Sequence, residues 1–196
     1  MKKNIVVCLI LIFSLLLAVT GYKNINKIDV SNTQSNISVD YPTAYDINNM
    51  IDNSSYIVKG NFTKYVDSWN MARNPENLKE EDTQVRIEGR LYEFVIEKEL
   101  KGNLSKKDII TINLPYSHMG NIDELYVEPT LNEKVILFLK YDSNFDYYYP
   151  AIEPYQFIEI NDELKVKSND KKVVLEFDKK EKKVTTESLE KLLNNK

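Results

Sequence analysis

The sequence predicts an all-β domain with a minor helical share: a small closed or partly open Greek-key barrel with flanking N-terminal and C-terminal helices. Three observations carry that expectation. Short runs of alternating apolar and polar residues recur between residues 56 and 177. Glycines interrupt those runs at points where a strongly coiled sheet would bend. Helical spacing of apolar residues is confined to the two ends of the region.

Lys2 and Lys3 precede an apolar run from Ile5 to Val19 that carries no charge, the pattern of a secretory signal. At about fifteen residues the run is shorter than the ~20 a helix needs to cross a bilayer, and an uncleaved anchor helix is the alternative reading. Small residues Ala18, Thr20 and Gly21 place the cut near Gly21. The expected organisation is a signal peptide over 1–21, a flexible tether over 22–41 and a single barrel domain with its helices over 42–196. Processing removes Lys2 and Lys3, which takes the net charge from −4 to −6, and it removes Cys8, the only cysteine. The exported chain then has no disulfide and no thiolate metal site to lean on, so its core must suffice. Val19-Thr20-Gly21 resembles the start of a bacterial lipobox, but Tyr22 stands where the acylated cysteine belongs. The chain is lipoprotein-like with no lipid anchor expected.

The tether is rich in Asn, Ser, Lys and Asp and has no face to bury. Ala44, Ile47 and Ile51 then space a short helix, ended by Asn53-Ser54-Ser55. Tyr56, Val58, Gly60 and Phe62 alternate along the first strand, with a bend or bulge at Gly60. Residues 70–83 read as a loop. Val85, Ile87, Gly89 and Leu91 share one face before the apolar phase slips to Tyr92, Phe94 and Ile96, which marks Gly89 as a second bulge. A turn at Lys101-Gly102 leads to a third strand over 109–114. A helical or irregular connection over 116–132 leads to a fourth over 135–139. Beyond the tyrosine-rich turn at 147–150, residues 157–160, 164–166 and 173–177 form a meander. The leucines of 186–193 make a last helix behind a threonine cap. A five-stranded, partly open barrel of OB type suits this spacing, because closure removes the exposed edges. A β-sandwich is the alternative.

Tyr56–Phe62, the run from Leu91 to Gly102, Asp108–Ile112 and Leu131–Leu139 occur in an order that resembles a broad group of exported bacterial proteins of unknown function. That group is similar in layout to the OB barrel of tissue inhibitors of metalloproteinases. The likeness spans about half the chain and implies a fold and an exported address. Where the group has glycine ahead of the fourth strand this chain has Asn132, the residue after glycine that best tolerates positive φ. The animal inhibitors hold the protease zinc through an N-terminal cysteine, which has no counterpart here.

Catalytic patterns are absent from the sequence. His118 is the sole histidine, and there is no GxSxG elbow, phosphate loop or dinucleotide fingerprint. Ser117 and His118 are neighbours in sequence, whereas a nucleophile and its base must be neighbours in space. Glu93, Glu97 and Glu99 fall at period two, which would suit either paired acids facing a substrate or the solvent face of a strand. Asp142, Asp146 and Glu153 lack calcium-loop spacing. No catalytic residue, metal or cofactor is expected. With only three arginines, Arg73, Arg86 and Arg90, and a net negative charge, the chain is a poor match for nucleic acid or anionic glycans. The candidate binding residues are aromatic: Trp69 with Tyr65 beside one loop, and Phe145, Tyr147, Tyr148, Tyr149 and Tyr155 beside another. Alternate tyrosines such as Tyr147 and Tyr149 also suit plain cross-strand packing. The expected function is a monomeric, non-catalytic module, secreted or on the extracytoplasmic face of the envelope. It would bind a protein or a neutral glycan through its loops, with a carboxylate-dependent hydrolase as the alternative.

Overall fold

The computed structural model describes residues 42–104, 108–116, 127–181 and 183–195. The signal peptide, the tether, the Ser117–His118 pair and most of the connection after Tyr116 lie outside the described residues. Among the described residues no helix is long and apolar enough to cross a membrane.

The chain is mostly β. After helix α1 (Ile47–Asn53) come β1 (Tyr56–Asn70), β2 (Arg73–Asn74), β3 (Asn77–Glu81), β4 (Glu88–Lys101) and β5 (Ile109–Tyr116). They are followed by β6 (Lys134–Asp142), β7 (Tyr147–Pro150), β8 (Gln156–Ile160) and β9 (Glu163–Val166), then helices α2 (Lys171–Lys180) and α3 (Thr186–Asn194). β1 pairs antiparallel with β4 along its length and with β6 through Tyr56–Asn61. β4 continues to β5, β5 runs parallel to β7, and β7 returns to β6, so five strands join in a ring, β1-β4-β5-β7-β6-β1. β8 and β9 extend the sheet from the first half of β6, on the edge whose second half carries β7.

Serving both rows requires β1 to coil sharply. Its pairing with β4 shifts register four times, one of them between Lys59 and Gly60. A side chain at Gly60 would sit 2.0 Å from the Val95 carbonyl oxygen, so the predicted bend there is a close backbone approach that only glycine allows. Gly89, expected as a second bulge, keeps regular pairing with Trp69 and Pro115. β4 has no slip to absorb: it pairs regularly with β5 from Glu88 to Val95 and turns Tyr92 and Phe94 into the core, while Val85 and Ile87 lie ahead of the strand.

β6 is buried on both faces, which explains its unbroken run Val-Ile-Leu-Phe-Leu. Val135, Leu137 and Leu139 pack with Val58, Phe62, Phe94 and Ile112 in one cluster. Ile136 and Phe138 pack on the other side with Ile47, Met50, Phe157, Phe177 and Leu189, which the three helices cover. Asn132 has φ 64° and its N–H donates to the Phe62 carbonyl at 2.8 Å, the positive-φ turn expected before this strand.

Three expected elements differ. Residues 147–150, read as a tyrosine-rich turn, are β7, whose pairing with both β5 and β6 closes the ring; the turn itself falls just before them. Residues 173–177, read as a strand, are the centre of α2: Asp170 caps it by accepting the Lys172 N–H, and Val173 and Phe177, four apart, bury one face. The β-branched pair Val173-Val174 imitated strand composition, but the cap and the four-residue spacing prevailed. Residues 70–83, read as loop, carry the β2–β3 hairpin, a separate two-stranded sheet whose second strand is exposed throughout and so has no apolar alternation to announce it. α3 opens on a Thr185 cap with Ser188 reciprocating.

Candidate functional site

The end of β1 and the hairpin of β6 and β7 bring their aromatic residues together. Trp69, at the end of β1, lies 5.1 Å from Phe145 and 5.5 Å from Tyr147, and Phe145 stacks on Tyr147 at 5.9 Å. Pairs at these separations add to the stabilisation from burial alone. The indole N–H of Trp69 donates to the Asn113 side-chain oxygen on β5 at 3.0 Å. Gly89 makes that bond possible, since a Cβ there would fall 2.6 Å from the indole nitrogen and 2.5 Å from the Asn113 oxygen.

Beside this cluster is a cavity of about 230 Å³ lined by Met71, Asn113, Pro115, Asp142, Tyr147, Tyr149 and Pro150. Its walls are apolar and aromatic, with Asn113 and Asp142 as the polar groups. Asn113 is buried, and its amide nitrogen donates to the soft sulfur of Met71 at 3.5 Å and lies within hydrogen-bonding reach of the Tyr147 hydroxyl. Asp142 accepts the Asn144 N–H at 2.8 Å with one oxygen. Burial pushes the Tyr147 phenol up to about 12; the Asp142 carboxylate adds to the shift and Arg73 opposes it. Tyr149 is raised by burial and by the same carboxylate. The tyrosines are therefore neutral donors at physiological pH, facing one carboxylate.

Arg73 spreads over the rings, its guanidinium 4.4 Å from the centre of Trp69 and 5.0 Å from that of Phe145. The base of its hairpin is pinned by Asn70, whose amide donates to Asp82 and Val85 carbonyls and whose oxygen accepts the N–H groups of Ala72 and Ile87.

The other aromatic candidates go elsewhere. Tyr148 turns inward against Tyr56, and Tyr155 is fully buried with its hydroxyl on the Val127 carbonyl, so both belong to the ring-side core. Tyr65 is half exposed and packs on Tyr92 at a second cavity of about 400 Å³, where Arg90 is gripped by Glu88 at 3.1 Å and Glu128 at 2.9 Å. The guanidinium also lies 3.4 Å over Tyr116.

The strand carboxylates do not form a pair across a cleft. Glu93 takes Lys64 and Thr63, Glu97 takes Lys134, and Glu99 receives the Leu104 N–H. Hydrogen bonds from Lys64 and Thr63 hold Glu93 below the usual carboxylate range, and Lys134 does the same to Glu97. Asp146 accepts the Tyr141 hydroxyl, whereas Glu153 is buried beside Ser168. Among the described residues no three potential metal ligands gather.

Arg73, Asn113 and Gly89 were not anticipated as site residues, and Asp142 was weighed only as a calcium ligand. Their signals were faint: one of only three arginines inside a loop, an Asn interrupting an apolar third strand, and a glycine opposite the sole tryptophan. Comparison with protein-family models, curated proteins and solved structures finds no match for this chain.

Proposed function

We propose that this is an exported, non-catalytic module that binds a neutral envelope glycan at the end of the ring where Trp69, Phe145 and Tyr147 meet. We read the ring as an OB-like barrel. In support, β6 returns to lie beside β1, giving the order β6-β1-β4-β5 of a Greek key, and closure depends on a single parallel pairing. In that architecture ligands lie on the face of the second and third strands, between the first connection and the last. The corresponding elements here are β4, β5, the hairpin connection and the β6–β7 turn, where the aromatic residues collect.

The observation that carries the reading is this convergence beside a cavity sized for about one sugar ring. Aromatic rings stack on the C–H faces of a sugar, a carboxylate such as Asp142 accepts hydroxyls, and an amide held by soft partners, as Asn113 is by the Met71 sulfur, can donate to them instead. A neutral ligand suits the acidic chain. The hydrolase alternative draws no support from Glu93, Glu97 or Glu99, each engaged on the strand surface. The resemblance to exported proteins and the 1–21 segment support the extracytoplasmic address.

Trp69 is the sole tryptophan, so its fluorescence reports on the site directly. The expected result is a saturable change when a soluble neutral glucan or mannan is added to the chain beginning at Tyr22, lost in Phe145→Ala and Asp142→Ala. Absence of a response to both polysaccharides, together with specific retention of an envelope protein that requires Phe145, would replace the glycan with a protein partner.

A further inference from the structure

We propose that Arg73 is the site's own occupant: its guanidinium rests on the faces of Trp69 and Phe145 that a sugar ring would use, so ligand binds by displacing it. This rests on the glycan reading and adds how access to the platform is controlled.

The contacts that hold Arg73 in place are few. The guanidinium lies over both rings, and one terminal nitrogen donates to the Asn70 carbonyl. Among the described residues no carboxylate pairs with it, and its Nε–H is buried without an acceptor. Stacking of a cation on an aromatic face favours the closed pose, while the unsatisfied N–H disfavours it, and the two effects are of similar size. Residues that serve only as structure rarely leave a buried donor empty. The pose is therefore held weakly by its own chemistry.

The backbone around Arg73 would allow the side chain to leave. Asn70 and the bond from Met71 N–H to the Ile87 carbonyl fix the base of the hairpin to the ring. β2 and β3 pair only with each other, and β3 is exposed along its length. A rotation of the Arg73 side chain breaks one hydrogen bond, to the Asn70 carbonyl at the end of β1, and no strand pairing. Lifting it exposes the indole and phenyl faces next to the cavity that holds Asn113 and Asp142.

Two measurements on wild type, Arg73→Met and Arg73→Lys test the proposal. Methionine keeps the apolar stem but removes the cation and its donors; lysine keeps the charge without the planar stack. Acrylamide, a neutral collisional quencher, should reach Trp69 more readily in Arg73→Met than in wild type, with Arg73→Lys between them. The affinity for the neutral polysaccharide should rise about two- to five-fold in Arg73→Met, the gain from removing a competing stack. An affinity that is unchanged, or that falls while the polysaccharide still binds wild type, overturns the proposal and leaves the glycan reading standing. Increased quenching with no polysaccharide bound by any variant removes the glycan reading and with it the displacement.

Discussion

The two apolar clusters on either side of β6 differ in what closes them. The helix-side cluster is sealed by the side chains of α1, α2 and α3, with Ile47, Met50, Phe177 and Leu189 all buried. Among the described residues the ring-side cluster has no helix over it, and its strands end in connections. There the chemistry changes: Tyr92 and Tyr155 sit at the margin of that core with their hydroxyls on Glu128 and on the Val127 carbonyl. Both cavities draw their linings from the ends of ring strands and the connections between them. A core covered by helices can be wholly apolar, whereas one ending in loops collects aromatic and polar groups able to face a ligand.

The sharpest way to break this comparison is to remove the residue that joins the halves. Phe138 is fully buried, contacts Phe157 at 5.5 Å, and exchanges backbone bonds with Tyr155 and Ala151 where β8 gives way to β7. Phe138→Ala should cost about 3–5 kcal/mol in chemical denaturation, a large share of the ~5–15 available to a domain. A loss under about 1 kcal/mol would mean that the helix-side cluster is not a single packed core.

The next effect is pH-dependent and belongs to the helix side. Glu153 is buried, donates its backbone N–H to the Pro42 carbonyl, and accepts the Ser168 hydroxyl at 2.6 Å, while its second carboxyl oxygen has no partner. Burial pushes its pKa from 4.5 up to about 8; the Ser168 hydrogen bond opposes the shift and Asp170 adds to it. A carboxyl raised on folding contributes stability that is complete below its unfolded value and declines until the folded value is passed. The domain should therefore lose stability between about pH 4.5 and pH 8. Glu153→Gln, which cannot ionise, should flatten that decline and be the more stable protein at pH 7, by about 3 kcal/mol. Parallel stability–pH curves for the two proteins would show that Glu153 is not held neutral.

On the ring side, Gly89→Ala drives a methyl group to within 2.7 Å of the Met71 side chain and closer still to Trp69 and Asn113. The expected cost is about 1–3 kcal/mol, with a shifted Trp69 emission as the indole loses Asn113. An unchanged spectrum would separate Gly89 from the site.

Legibility in the sequence follows the same division. The strands whose residues alternate or run continuously, such as β6 and β8, were recoverable because burial imposes a period on them. Phe145, Tyr147 and Trp69 stood out as aromatics in excess of turn chemistry. Their contact did not, because it depends on the end of β1 meeting the β6–β7 hairpin across the ring, a pairing no local pattern records. Tyr148 and Tyr155 could not be told from surface tyrosines, since composition is blind to which way a strand turns its side chains. The β2–β3 hairpin was invisible for the opposite reason: it buries almost nothing and so carries no period.

The smallest expected effect concerns how the ring side is held in register. Asn132 occupies the left-handed region at φ 64° and ties the entry of β6 to the Phe62 carbonyl. Valine there must carry a β-branched side chain at positive φ, so Asn132→Val should cost about 1–2 kcal/mol. Glycine adopts the same φ without strain but loosens the unfolded chain, and the two tendencies nearly cancel, leaving Asn132→Gly within about 0.5 kcal/mol of wild type. Thermal unfolding of the three proteins side by side gives the ordering directly. The turn lies on the ring side, next to a residue of the Phe62 cluster, so the loss in Asn132→Val should be accompanied by altered Trp69 fluorescence only if strain at β6 travels along β1 to its far end. Destabilisation with an unchanged Trp69 signal would mean that the two ends of the ring yield independently, and the aromatic site could then be varied without disturbing the register that builds it.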